Sequence, residues 1–284
     1  MPKLIYATDC STNLITAFDL NGNLIFQFGG PGSGDGKFNI PWAITSLGKE
    51  LFITDSDNNR IQVFDMQGNY IRKWGTKGSA PGQLDFPNTI IPYKNELYMF
   101  EARNFRISVF KPDSTYQRTW GKVGSDPPDY SLVHGLASLS EEIYTADQYN
   151  IRIQVTDKNG LYKRSWGTQG PAPEQFVNPF AIAITQNTLY ITDVGSGKIK
   201  TFTPQGVFLQ NYGGYGTGDG QFINPMGITI YNKEIYIADR ATGLIQVLTL
   251  TGTFVRKWSG GFTWLSNVHI PTGKIQYLPI MGAG

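Results

Sequence analysis

Apolar and polar residues alternate in short runs along the whole chain. Leu51-Phe52-Ile53-Thr54, Ile61-Gln62-Val63-Phe64 and Tyr70-Ile71-Arg72-Lys73-Trp74 each show the period-two pattern of a strand. Turn residues separate the runs, as in Gln67-Gly68-Asn69 and Asn21-Gly22-Asn23, where Gly or Asn can take positive φ. A fourth apolar stretch belongs to the same set, seen as Pro41-Trp42-Ala43-Ile44 and as Pro225-Met226-Gly227-Ile228-Thr229-Ile230. No stretch carries a helical period, so the pattern predicts strands throughout.

The strands recur as a unit. An aromatic-x-x-acid pattern falls at Asp9, Asp55, Glu101, Asp147, Asp193 and Asp239, with 46 residues between successive acids. Ile15, Ile61, Ile107, Ile153, Ile199 and Ile245 follow in the same frame, and then Phe28, Trp74, Trp120, Trp166, Tyr212 and Trp258. Self-similarity at such a period marks a repeat architecture, and four strands per unit make one propeller blade. The expected fold is all-β: a six-bladed β-propeller, four antiparallel strands per blade, filling 1–284 as one domain. The chain begins at the second strand of blade one, Lys3 to Thr8. Pro271 lies in the frame of Pro41, Pro87, Pro179 and Pro225. The segment from Ile270 to Tyr277 is therefore expected to pair with Leu4 to Thr8 and close the ring, which removes the open sheet edges.

These residues resemble the NHL-repeat family. Its unit joins a strand ending in Asp, an N-x-R-I-Q strand, a strand ending in aromatic-Gly, and a Gly-rich loop ending in Pro. Leu51 to Gly75 and Ile143 to Gly167 are the closest copies. The resemblance implies the fold and leaves function open, because NHL propellers include protein-binding modules, RNA readers, extracellular sensors and an amide-forming lyase.

Composition narrows the choices. The net charge of +2 is no nucleic-acid signature, which requires a strong basic excess. Cys10 is the one cysteine, so no internal disulfide forms; with no signal peptide recognised and no long apolar run, a cytoplasmic or particle-associated setting without a membrane span is favoured.

Each repeat acid is expected to accept loop N–H groups and to pair with a basic residue five positions on: Arg60, Arg106, Arg152 or Lys198. The Trp positions are expected to pack blade on blade. The repeat breaks most in blades three and four, where Lys111-Pro112-Asp113-Ser114 replaces the usual turn and Val133 replaces Pro. Local departures from a regular pattern point to sites. Arg103, Arg106, Tyr130, His134, Tyr149 and Arg152 are therefore the candidate binding residues on the loop face. The NHL-like lyase resemblance implies zinc on three His. This chain has His134 and His269 only, both expected at the start of an inner strand and facing each other across the channel. No metal, cofactor or catalytic residue is assigned. The reading is a non-catalytic scaffold for a protein or peptide partner. The alternatives are a single-stranded RNA reader and a channel-mouth lyase or hydrolase.

Overall fold

The computed structural model describes residues 3–271. Six four-stranded antiparallel sheets form the blades of a propeller. Their inner strands are Leu265–His269 in blade one, then Pro41–Leu47, Pro87–Tyr93, Val133–Leu139, Pro179–Thr185 and Pro225–Tyr231 in blades two to six. Each inner strand touches the next, and that of blade one touches both blade six and blade two, so the ring is closed. Among the described residues there is no α-helix; Val194–Ser196 forms one 3-10 turn.

Closure comes from the C-terminal part of the chain, as expected, but six residues early. In blade two Pro41 pairs with Asp55, and in blade one the residue paired with Asp9 is Leu265. The loop from Ser259 to Trp264 is shorter than its counterparts, which shifts the frame of the last strand. Pro271 is thus not the equivalent of Pro41. Residues 272–277 of the expected strand lie outside the described residues.

Blades meet through the repeated apolar positions. Phe52, Tyr98, Tyr144 and Tyr236 are buried, as are the repeat isoleucines. The aromatic at the end of each outer strand covers the glycine turn of the following blade: Trp258 lies over Gly22, Phe28 over Gly68, Trp120 over Gly160, Trp166 over Gly206 and Tyr212 over Gly252. Gly160 has φ +91°, and a Cβ there would sit 2.3 Å from Trp120 Cγ. Glycine is thus needed twice at this turn, for its positive φ and for the close approach. Blade three departs from this rule, with Ser114 at φ 75°.

A second device staples blades together. Arg118 makes a two-pronged contact with Glu96 at 2.8 and 2.7 Å and donates to the Lys158 carbonyl of blade four at 3.0 Å. Arg164 does the same with Glu142 and the Pro204 carbonyl, and Arg256 with Glu234 and the Leu20 carbonyl. Arg72 completes the set with Glu50 and Pro112. Planar guanidinium matches planar carboxylate, so each pair is fixed in direction and leaves N–H groups for the next blade.

Candidate functional site

The repeat acids and the start of every inner strand share one face, here called the acid face. The chemistry of this face is first structural. Asp55 accepts from Arg60 Nε at 2.6 Å, from the Asn39 amide at 2.7 Å and from Asn58 Nδ2 at 2.9 Å. Arg60 then spends its remaining N–H groups on the carbonyls of Ser33, Gly34 and Lys37. Acid and arginine together pin the long inter-blade loop to its blade. Burial pushes the Asp55 and Asp147 carboxyls above their ordinary range, against the pull of these donors.

This bonding decides the fate of most sequence-predicted site residues. Arg106 is held by Glu101 at 2.8 Å and by the Ser79 and Gln83 carbonyls. Arg152 is held by Asp147 at 3.2 Å and by the Ser125 and Asp129 carbonyls. Neither guanidinium faces outward for a ligand. Tyr130 is wholly buried, packed edge-on against Phe100 as the core of its loop. In blade five the expected Lys198 pair does not form; Lys200, two residues on, reaches Asp193 at 3.3 Å. Only Arg103 and Tyr149 of the predicted set reach the surface, with Tyr149 67% exposed. The two occupy equivalent positions in blades three and four, two residues beyond the repeat acid.

The histidines do not face each other. His134 is the second residue of its inner strand, near the acid face, whereas His269 is the last of its own, toward the opposite end of the axis. His134 stacks flat on Phe180 with ring centroids 4.2 Å apart, and on Trp42 at 5.4 Å. Trp42 belongs to blade two and Phe180 to blade five, so the three stacked rings reach across the axis. Burial lowers the His134 imidazole to about 3. Its Nδ1 lies 3.2 Å from Asn88 Nδ2, which fixes the ring. Among the described residues no three His, Cys, Asp or Glu side chains converge as a metal cluster.

The sequence reading missed the residues above this stack. Phe86 and Trp264 meet Trp42 edge-on at 6.3 and 6.4 Å, all three rings half-buried. Arg240 lies over Trp264 at 3.8 Å and Arg103 over Phe86 at 4.6 Å. Arg103 also bonds Asp57 of the preceding blade at 3.1 Å. The acid-face mouth is therefore a shallow aromatic funnel with two arginines laid on its rings. The available signal was the variability of two nearby positions: Phe86 and Trp264 stand where other blades have Ile40, Leu132, Asn178 and Asn224, and Trp42 where they have Asn88, His134, Phe180, Met226 and Ser266.

A family model described as a 6-bladed beta-propeller matches residues 38–120, less than half of the chain. The fold is a six-bladed propeller. No curated protein matches the chain in sequence. A chain of the crystal structure of a nidogen/laminin complex is similar with a TM-score of 0.72 and 15% identity, covering 96% of this chain and 99% of that one. Virginiamycin B lyase from Staphylococcus aureus is similar with a TM-score of 0.57 and 18% identity, over 77% of this chain and 69% of that one. A functionally unknown protein from Desulfotomaculum acetoxidans DSM 771 is similar with a TM-score of 0.65 and 9% identity, over 94% of this chain and 98% of that one. Likeness at these identities concerns the fold alone.

Proposed function

We propose that this chain is an NHL-type, non-catalytic binding scaffold that presents its acid-face mouth to a protein or peptide. One observation carries the reading: half-exposed Phe86 and Trp264 lie under Arg103 and Arg240 on the acid face, and exposed Tyr149 stands on the same face in blade four. Aromatic and arginine side chains supply most interface anchors, because each buries a large area and keeps a polar handle. A rigid ring presents them already ordered, which lowers the entropy cost of binding. The similar propeller solved within a nidogen/laminin complex agrees with such use of the fold. The RNA reading finds less support, since Arg106 and Arg152 are spent on loop carbonyls.

The test is site-specific photocrosslinking in the native source. A benzophenone side chain placed at Tyr149 should yield a discrete protein adduct. The same group placed at Leu161, exposed on the outer strand side of the same blade, should not. Adducts to nucleic acid from position 149, or the same adducts from both positions, would contradict the proposal.

A further inference from the structure

Below the Trp42–His134–Phe180 stack the axis opens into a cavity of about 550 Å³. It is lined by the C-terminal halves of the six inner strands and opens at the end opposite the acid face, beside Gly48 and Asn95. Its size falls in the range of small-molecule sites. About half of its wall is hydrocarbon, from Ile91, Ile184, Ile228, Ile230 and Ile270, and the other half is polar. Among the described residues no carboxylate lines it, and its one charged lining residue, Lys94, is paired with Glu141 at the rim.

Apart from Lys94 the polar groups of the wall are uncharged, with Thr45, Ser46, Ser138, Thr229 and His269 contributed by blades one, two, four and six. His269 Nε2 lies 2.8 Å from Ser46 Oγ, joining blades one and two, with Thr45 and Thr229 nearby on the lining. Among the described residues Ser46 is the ring's one hydrogen-bond partner. The second ring nitrogen has no hydrogen-bond partner among the described residues. Burial lowers the imidazole to about 4, so at neutral pH one nitrogen donates and the other accepts. The Ser46 hydroxyl can take either role, and both tautomers are open to the ring. A hydroxyl on a ligand can likewise answer either tautomer, whereas a carbonyl can answer only one. A charged ligand would lose its hydration against hydrocarbon with no counter-charge inside.

We propose that the axial cavity is a binding site for a small, uncharged alcohol with a bulky hydrocarbon body, its hydroxyl bonded to His269 and its body against the isoleucine ring. The site lies at the opposite end of the inner strands from the acid-face mouth. Why other blades do not compete is plain from the frame: the residues equivalent to His269 are Thr45, Ile91, Ala137, Ala183 and Thr229. None of these offers a ring nitrogen.

The test uses the whole chain labelled with ¹³C at the isoleucine δ1 methyls, and 1-adamantanol as probe. Addition should shift the methyls of Ile91, Ile184, Ile228 and Ile230, and leave Ile71, exposed on an outer strand, in place. The 1-adamantanecarboxylate anion and the 1-aminoadamantane cation should bind more weakly by over about tenfold, since each would enter a site that offers no free counter-charge. Ile230→Trp fills the cavity and should abolish the shifts. His269→Phe should weaken the alcohol by about three- to tenfold, the worth of one neutral hydrogen bond. A melting curve on each variant establishes that it is folded, and Ser46→Ala replaces His269→Phe if the closing strand does not tolerate the change. Absence of cavity shifts with saturating alcohol, equal binding of the cation, or undiminished binding by folded Ile230→Trp would each overturn the proposal.

Discussion

His134 lies face to face on Phe180, with 10° between the ring planes and no charged partner among its stacked neighbours. The imidazole is therefore held neutral, its affinity for a proton lowered to about 3 by burial. The sign of the linkage follows. A depressed folded value gives stability that is present above the unfolded value near 6.5 and is lost as the pH falls toward the folded one. His269, lowered to about 4 in the same way, adds to the slope. Chemical denaturation at pH 7 and pH 5 should show a loss of more than about 1 kcal/mol across this window. His134→Phe, which keeps the stack, should flatten part of that loss.

The closing strand gives a second expectation. Tyr6, Ala7 and Thr8 pair with His269, Val268 and Asn267, and Thr8 Oγ1 bonds Ser266 Oγ at 2.7 Å. A chain ended after Thr263 lacks this strand and exposes apolar faces of blades six and two, whose burial drives ring closure. It should be insoluble or melt far below the full chain. A chain ended after Pro271 keeps every described closure contact and should remain folded. Thermal melts of the two truncations make the comparison.

The blade staples predict a distinct acid response. Arg118, Arg164 and Arg256 hold Glu96, Glu142 and Glu234 below the ordinary carboxylate range. Their contribution is present above the ordinary glutamate value of 4.5 and is lost as the pH falls below it. The pairs are only partly buried, so each is worth about 1 kcal/mol or less. Replacing all three arginines by Met should lower the melting temperature at pH 7 and reduce the further fall between pH 5 and pH 3.

The turn under each outer-strand aromatic can be tested in both directions. Gly160→Ala forces a Cβ against Trp120 at positive φ and should cost about 1–3 kcal/mol. Ser114→Gly relieves the positive φ of blade three and should stabilise by about 0.5 kcal/mol, the gain being reduced by the greater freedom of glycine when unfolded. Urea denaturation of both variants measures the pair of signs.

The fold could be read from the sequence because its period is local. One acid, one isoleucine and one aromatic per unit count the blades without any knowledge of contacts across the ring. The frame failed where the period failed: the short loop before Leu265 moved the closing strand and placed His269 at the far end of the axis. Lys200 shares its strand face with Lys198 and stands where Gln62 bonds the repeat acid of blade two, a second position from which Asp193 can be reached. The candidate site was far less legible. Arg106, Arg152 and Tyr130 look like surface chemistry in a loop, yet the loop folds back on them. Trp42, Phe86 and Trp264 come from three different blades and meet only once the ring is closed.

The central claim is that the acid-face mouth binds a protein or peptide through aromatic anchors. Its most direct test is the salt dependence of partner affinity, measured with the protein captured at Tyr149. Anchoring by Tyr149, Phe86 and Trp264 predicts a dissociation constant changing by less than about tenfold between roughly 50 and 200 mM salt, because few counterions are released. It also predicts a loss of more than about 1 kcal/mol on Tyr149→Ala. A steep salt dependence, with tight binding of single-stranded RNA that Arg103→Ala abolishes, would contradict the account.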